Sequence, residues 1–111
     1  MEFEYSYDEE WDEITLSLSI GNSTFRLTLV ELFDEEDEPL GGYHLLAFSN
    51  EGEKGSGLGR KVRKSLLDWV LANGGSYLTT CPGGEYLHNL YKDCGFIPQE
   101  DEVSWIASLT S

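Results

Sequence analysis

The chain has 111 residues and is 40% hydrophobic, 13% aromatic and 25% charged, the balance of one folded domain with a small core rather than of a disordered chain. Its net charge of −14 argues against broad nucleic-acid binding and against attachment to an anionic membrane, and favours a basic partner. No apolar run reaches the roughly 18 to 20 residues that span a bilayer. The N-terminus has no signal-peptide pattern, and Cys81 and Cys94 form neither a metal motif nor a disulfide framework, so a reduced, cytoplasmic, metal-free protein is expected.

Residues 2–8 alternate Phe3, Tyr5 and Tyr7 with Glu2, Glu4 and Ser6, a candidate terminal strand. Ile14 to Ile20 alternates strictly, and Gly21-Asn22 follows as a two-residue hairpin loop. With that loop, Leu18 faces Phe25, Leu16 faces Leu27 and Ile14 faces Leu29 across to a strand over 24–33; a slip of one residue would break all three apolar pairs. Asp34 to Glu38, followed by Pro39, reads as a charged, solvated turn. Tyr43 to Phe48 is less polar and reads as a more central strand.

The next segment is set apart by charge. Residues 1–53 carry 15 acidic groups and one basic group, Arg26, whereas residues 54–75 carry Lys54, Arg60, Lys61, Arg63 and Lys64 against Asp68 alone. Residues 53–64 run through Gly55, Gly57 and Gly59 into a helix in which Leu58, Val62, Leu66, Trp69 and Val70 recur at helical spacing, with a stop at Asn73-Gly74-Gly75. A strand, a glycine loop and a helix N-terminus make an anion site, because the backbone can approach closely and the first helical N–H groups point outward. Cations in the first turns oppose the helix dipole, which is consistent with a multiply charged anion there. The loop is not a Walker A motif, since Gly57 precedes Leu58 and Gly59 precedes Arg60. The even glycine spacing after antiparallel strands is not that of a dinucleotide loop either.

Downstream, 76–81 reads as a strand. Leu87, Leu90, Tyr91 and Cys94 form the apolar stripe of a short helix capped by Gly95. Residues 98–102 read as a turn and 103–109 as a final strand. The expected fold class is α/β (α+β): a single domain over 1–111 with a mixed, mostly antiparallel sheet, a glycine-loop helix and a second short helix.

Two segments carry a resemblance. Lys54-Gly55-Ser56-Gly57-Leu58-Gly59 resembles the pyrophosphate loop of the GNAT superfamily of N-acetyltransferases, with Lys54 where the signature has Gln or Arg. Leu90-Tyr91-Lys92-Asp93-Cys94-Gly95-Phe96 is similar to that family's Leu-Tyr-x-x-x-Gly-Phe ending. The resemblance covers roughly 43–96 and implies an acetyl-CoA site where two neighbouring parallel strands splay, near Phe48 and Ser49 on one and Cys81 on the other. It implies that the backbone of Gly55, Gly57, Gly59 and Arg60 holds the pyrophosphate, and that Arg60, Lys61, Arg63 or Lys64 reaches the 3′-phosphate. It further implies that Tyr91 protonates the departing thiolate. The chain departs from the family in three places. Only residues 8–13 separate the first two strands, where the family has two helices; Gly84 stands near the place of a pantetheine-binding Asn; and the C-terminal tail is short.

The reading is an N-acetyltransferase that uses acetyl-CoA on a basic amine: a protein lysine, an N-terminus or a polyamine. Glu51, Glu53, His44 and His88 are candidate bases by position, and Cys81 reads as a buried strand-end thiol rather than a nucleophile. A reduced acceptor side suits a macromolecular substrate or a second copy forming a homodimer. The alternatives are a non-catalytic acidic binding module that occupies a basic site on a partner protein, and a plain structural domain. The basic cluster favours the enzyme.

Overall fold

A computed structural model describes residues 2–52, 57–101 and 103–109. Among these residues seven strands form one sheet: β1 (Glu4–Asp8), β2 (Glu13–Ile20), β3 (Ser23–Phe33), β4 (Pro39–Glu51), β5 (Tyr77–Thr80), β6 (Ile97–Pro98) and β7 (Trp105–Ser108). Helix α1 (Leu58–Ala72) joins β4 to β5, and α2 (Glu85–Asp93) follows β5. The strand order is β1-β2-β3-β4-β5-β7-β6, antiparallel throughout except for the β4–β5 pair. The mixed, mostly antiparallel sheet and two helices expected from the sequence are therefore present.

The β2–β3 register is the one dictated by the apolar pattern, with Leu18 opposite Phe25, Leu16 opposite Leu27 and Ile14 opposite Leu29. Phe25, Leu16, Leu27 and Leu29 are fully buried, each worth about 1.5–3 kcal/mol of transfer free energy. Both helices cover this face. Val62, Leu66 and Val70 from α1, and Tyr91, Cys94 and Phe96 from the end of α2 and just beyond, complete the core. The alternate positions Thr15, Ser17, Thr28, Val30, His44 and Thr79 lie on the other face, which no described helix covers. The stretch between β1 and β2 is a short turn, as expected, with Asp12 at φ 51°.

Strand β4 is longer than its apolar segment, because pairing with β3 carries it from Pro39 to Glu51. It also bulges. Thr28 pairs with Ala47 but Leu29 pairs with Leu45, so Leu46 has no partner opposite. Leu45 and Phe48 consequently share the helix face although they are three residues apart.

Each helix ends in a glycine closure. At α1, Gly74 (φ +84°) donates to Leu71 O at 3.2 Å and Gly75 to Val70 O at 2.8 Å. At α2, Gly95 (φ +99°) donates to Lys92 O at 3.0 Å and Phe96 to Tyr91 O at 3.0 Å. Both are Schellman motifs. Phe96 then packs edge-on against Tyr91 with ring centroids 5.0 Å apart, which is the physical content of the Tyr-x-x-x-Gly-Phe spacing.

The C-terminal expectations need two corrections. Pro98, expected to open a turn, lies in β6, which pairs with β7 through Ile97–Ile106 and Pro98–Trp105. β6 is an edge strand, where a missing N–H is tolerated. The last strand is also shorter than 103–109: Asp101 accepts from the backbone N–H groups of Val103 (3.0 Å) and Ser104 (2.9 Å), holding those residues in a turn.

Candidate functional site: a cleft between parting parallel strands

Strands β4 and β5 pair only from Gly42–Tyr77 to Leu45–Thr80. Strand β4 runs on to Glu51 while β5 stops at Thr80, so the two part at the bulge. The gap is a cleft of about 210 Å³ lined by His44, Leu46, Phe48, Arg63, Cys81 and Tyr91, among others. Beyond Leu45, no strand among the described residues pairs with β4 on its β5 side, which leaves backbone groups there available to an extended ligand.

Helix α1 reaches the same region through Arg63. Its N-cap is Gly57 at φ +79°, with no side-chain cap hydrogen bond and no acidic residue in the first turn. The first N–H groups of the helix are thus without side-chain acceptors among the described residues. Lys54, Gly55, Ser56 and Glu53 lie outside the described residues. Leu58 packs against the core. Lys61 and Lys64 are exposed. Arg60 pairs with Asp93 at 2.9 Å and ties the start of α1 to the end of α2.

Arg63 is placed differently from its basic neighbours. It is 6% exposed, with its guanidinium carbon 3.7 Å from the Phe48 ring centroid and 4.9 Å from that of Tyr91. Nη1 donates to Gly59 O at 3.2 Å, and Nε has no partner among the described residues. A buried cation without an anion is costly, and ring faces offset only part of that cost. The sequence hid this, because Arg63 stands in a run of exposed cations. The structure brings Phe48, Arg63 and Tyr91 together at one cleft. Ser49 is not part of that group: it pairs opposite Arg26 on the other face, with Oγ 3.5 Å from Arg26 O.

Tyr91 is 3% exposed and has both a cleft-lining position and a packing role against Phe96. Cys94 is buried, and desolvation pushes its thiol up against the opposing pull of Arg63, Lys64 and Arg60, which disfavours a thiolate nucleophile. Cys81 is exposed, contrary to the buried strand-end position expected of it. His44 lies 2.7 Å from Thr79 Oγ1 through Nδ1, and burial lowers its pKa below the usual 6.5. His88 lies against Trp105 with ring centroids 5.1 Å apart and planes tilted by 33°, and Glu51 pairs with Arg26 at 3.3 Å. Gly84 caps α2 without a side-chain hydrogen bond. No group of metal-ligating side chains occurs among the described residues.

No protein-family model and no curated protein sequence matches the chain. Solved structures do. The IAA acetyltransferase from Bacillus cereus superposes with a TM-score of 0.68 at 17% identity, over 89% of this chain and 79% of that one. The GNAT domain of S. lividans PAT superposes at 0.65 and 16% identity, over 94% and 65%. AtaTR bound with AcCoA superposes at 0.61 and 22% identity, over 87% and 66%. The fold is that of the GNAT acetyltransferases. The chain spans slightly less than two thirds of both AtaTR and the PAT GNAT domain. In this GNAT fold Arg63 lines the cleft where β4 and β5 part and donates to Gly59 O in the first turn of α1, so the cleft and the glycine start of α1 adjoin.

Proposed function

We propose that the protein transfers the acetyl group of acetyl-CoA to a basic amine: a protein lysine, an N-terminus or a polyamine. The observation that carries this reading is the cleft itself, a parted parallel pair opening beside an uncapped helix start, with the internal cation Arg63 facing it. These features fit the cofactor. An uncapped helix start and a basic side chain suit phosphates, and the free side of β4 suits the amides of a pantetheine arm. The Gly57–Arg60 backbone takes the pyrophosphate, and the exposed Lys61 and Lys64 are available to the 3′-phosphate. AtaTR, which has the same fold, is bound with AcCoA.

Acetyl-CoA supplies the activated thioester. Transfer forms a C–N bond from the amine to the acetyl carbonyl carbon and breaks the C–S bond. The free β4 backbone beside the bulge polarises the carbonyl. Tyr91, at the cleft wall, gives its phenolic proton to the departing sulfur. His44, held neutral by burial and lining the cleft from the open face, takes the proton that the amine loses. The acidic first half of the chain concentrates cationic acceptors.

The test is thiol release from acetyl-CoA with spermidine and with a lysine peptide as acceptors, run beside Tyr91→Phe and His44→Ala. Release that depends on both acceptor and Tyr91 supports the reading. Acceptor-independent release, or none, overturns it.

A further inference from the structure

Away from the cleft, the helix-covered face carries two adjoining hollows at the other end of α1. Trp69 borders both. It lies twelve residues beyond Gly57, roughly 18 Å along the helix. The first hollow, of about 420 Å³, is walled by Tyr5, Tyr7, Phe33, Tyr43 and Trp69, and its charged lining residues are Asp12 and Glu31. The second, also about 420 Å³, carries Glu2 and Asp68. Among the described residues, no Lys, Arg or His lines either one.

The rings are arranged as walls. Tyr5 stacks nearly parallel to Trp69, with centroids 6.4 Å apart and 21° between planes. Tyr43 meets Trp69 edge-on at 5.6 Å and 72°. Tyr5, Tyr7 and Phe33 remain 60%, 47% and 49% exposed, so the hollow holds aromatic surface open to water. Carboxylates stand beside the phenols: Tyr7 donates to Asp12 Oδ1 at 2.6 Å, and burial followed by the charge of Glu31 pushes the Tyr43 phenol up.

This combination selects by charge. An anion meets only like charges there. A neutral apolar molecule covers the rings but desolvates Asp12 and Glu31 without compensation. A cation with an apolar shell gains from the ring faces and from the carboxylates together.

We propose that this hollow is a binding site for an alkylammonium cation, either a small organic amine or the side chain of a lysine. It stands apart from the transfer cleft and does not depend on the proposed activity.

The test uses the whole chain and follows the Trp69 indole signal by ¹⁵N NMR, with Trp105 as an internal reference for the fold. Choline is titrated beside 3,3-dimethylbutanol, its neutral isostere. The expected result is a saturable shift of Trp69 with choline at severalfold lower concentration than with the isostere. Tyr5→Ser and Glu31→Gln, both at the hollow's surface, each weaken choline about two- to fivefold while Trp105 is unmoved. A lysine peptide titrated the same way separates the sources: a response to the peptide, to choline or to both supports the site and assigns its ligand. Equal responses to choline and its isostere, no response to either cation, or choline binding unaffected by both substitutions overturns the proposal.

Discussion

Tyr91 packs through its ring, and the role proposed for it lies in its hydroxyl, so the two can be separated. The ring packs against Phe96 and faces Arg63, and a phenylalanine keeps both contacts. Tyr91→Phe is therefore expected to fold normally, bind acetyl-CoA as before and lose about 10²-fold or more in kcat; an unchanged kcat with unchanged binding would remove the acid role. Arg63 divides the other way. Its charge is buried without an anion among the described residues, and exchanging such a charge for an apolar group of similar length is often neutral or stabilising. Arg63→Met should leave urea stability within about 2 kcal/mol of the parent or above it, and weaken acetyl-CoA about tenfold in calorimetry. A large loss of stability with unchanged affinity would make Arg63 a purely structural residue. Tyr7 gives a third test. Its hydrogen bond to Asp12, followed by desolvation and the Asp12 charge, raises its pKa from 10.0 to about 12. The folded state thus holds the proton more tightly than the unfolded chain. This contribution to stability is present below about pH 10 and is lost as pH rises through about 12. Alkaline absorbance titration should show late phenols, since burial raises Tyr43 as well, of which Asp12→Asn brings down the one belonging to Tyr7; Asn tolerates the positive φ at that position.

At the scale of elements, what the sequence revealed was what repeats. The β2–β3 register follows from three apolar pairs, and the ends of both helices follow from Gly74 and Gly95. Strand β6 has two residues and so no period to detect; it exists because β7 offers an edge. The cleft was legible only as a loop and a motif, since its walls come from β4, α1 and α2 and meet through a bulge at Leu46 that no local pattern announces. The aromatic hollow was not legible for the same reason: Tyr5, Tyr43 and Trp69 belong to three elements. Gly52 tests the local geometry just past the end of β4. Its φ is +116°, and a Cβ there would collide with the carbonyl oxygen of Asn22 in the β2–β3 turn. Gly52→Ala should cost about 1–3 kcal/mol in urea unfolding, whereas Gly83→Ala, with open space around it, should be close to neutral. Equal effects would mean that the contact between the two turns is not held.

The whole molecule is a sheet with helices on one face and mainly Ser, Thr and His44 at the paired positions of the other, and its first half is strongly acidic. Among the described residues, no helix is long and apolar enough to cross a membrane. The charge asymmetry has a kinetic consequence. For a cationic acceptor such as spermidine, kcat/KM should fall severalfold between low and physiological salt, while a neutral amine acceptor is little affected; identical salt profiles would show that the acidic half does not steer substrate. The central claim is that the cleft and the start of α1 hold acetyl-CoA. The most direct measurement is a calorimetric titration of acetyl-CoA into the protein beside Gly59→Glu, which puts a carboxylate at the helix start against the movable Nη1 of Arg63, 3.1 Å from where a Cβ would lie. Saturable one-to-one binding that the folded variant loses is the predicted result. No heat at millimolar acetyl-CoA, or equal binding by the variant, would contradict the account.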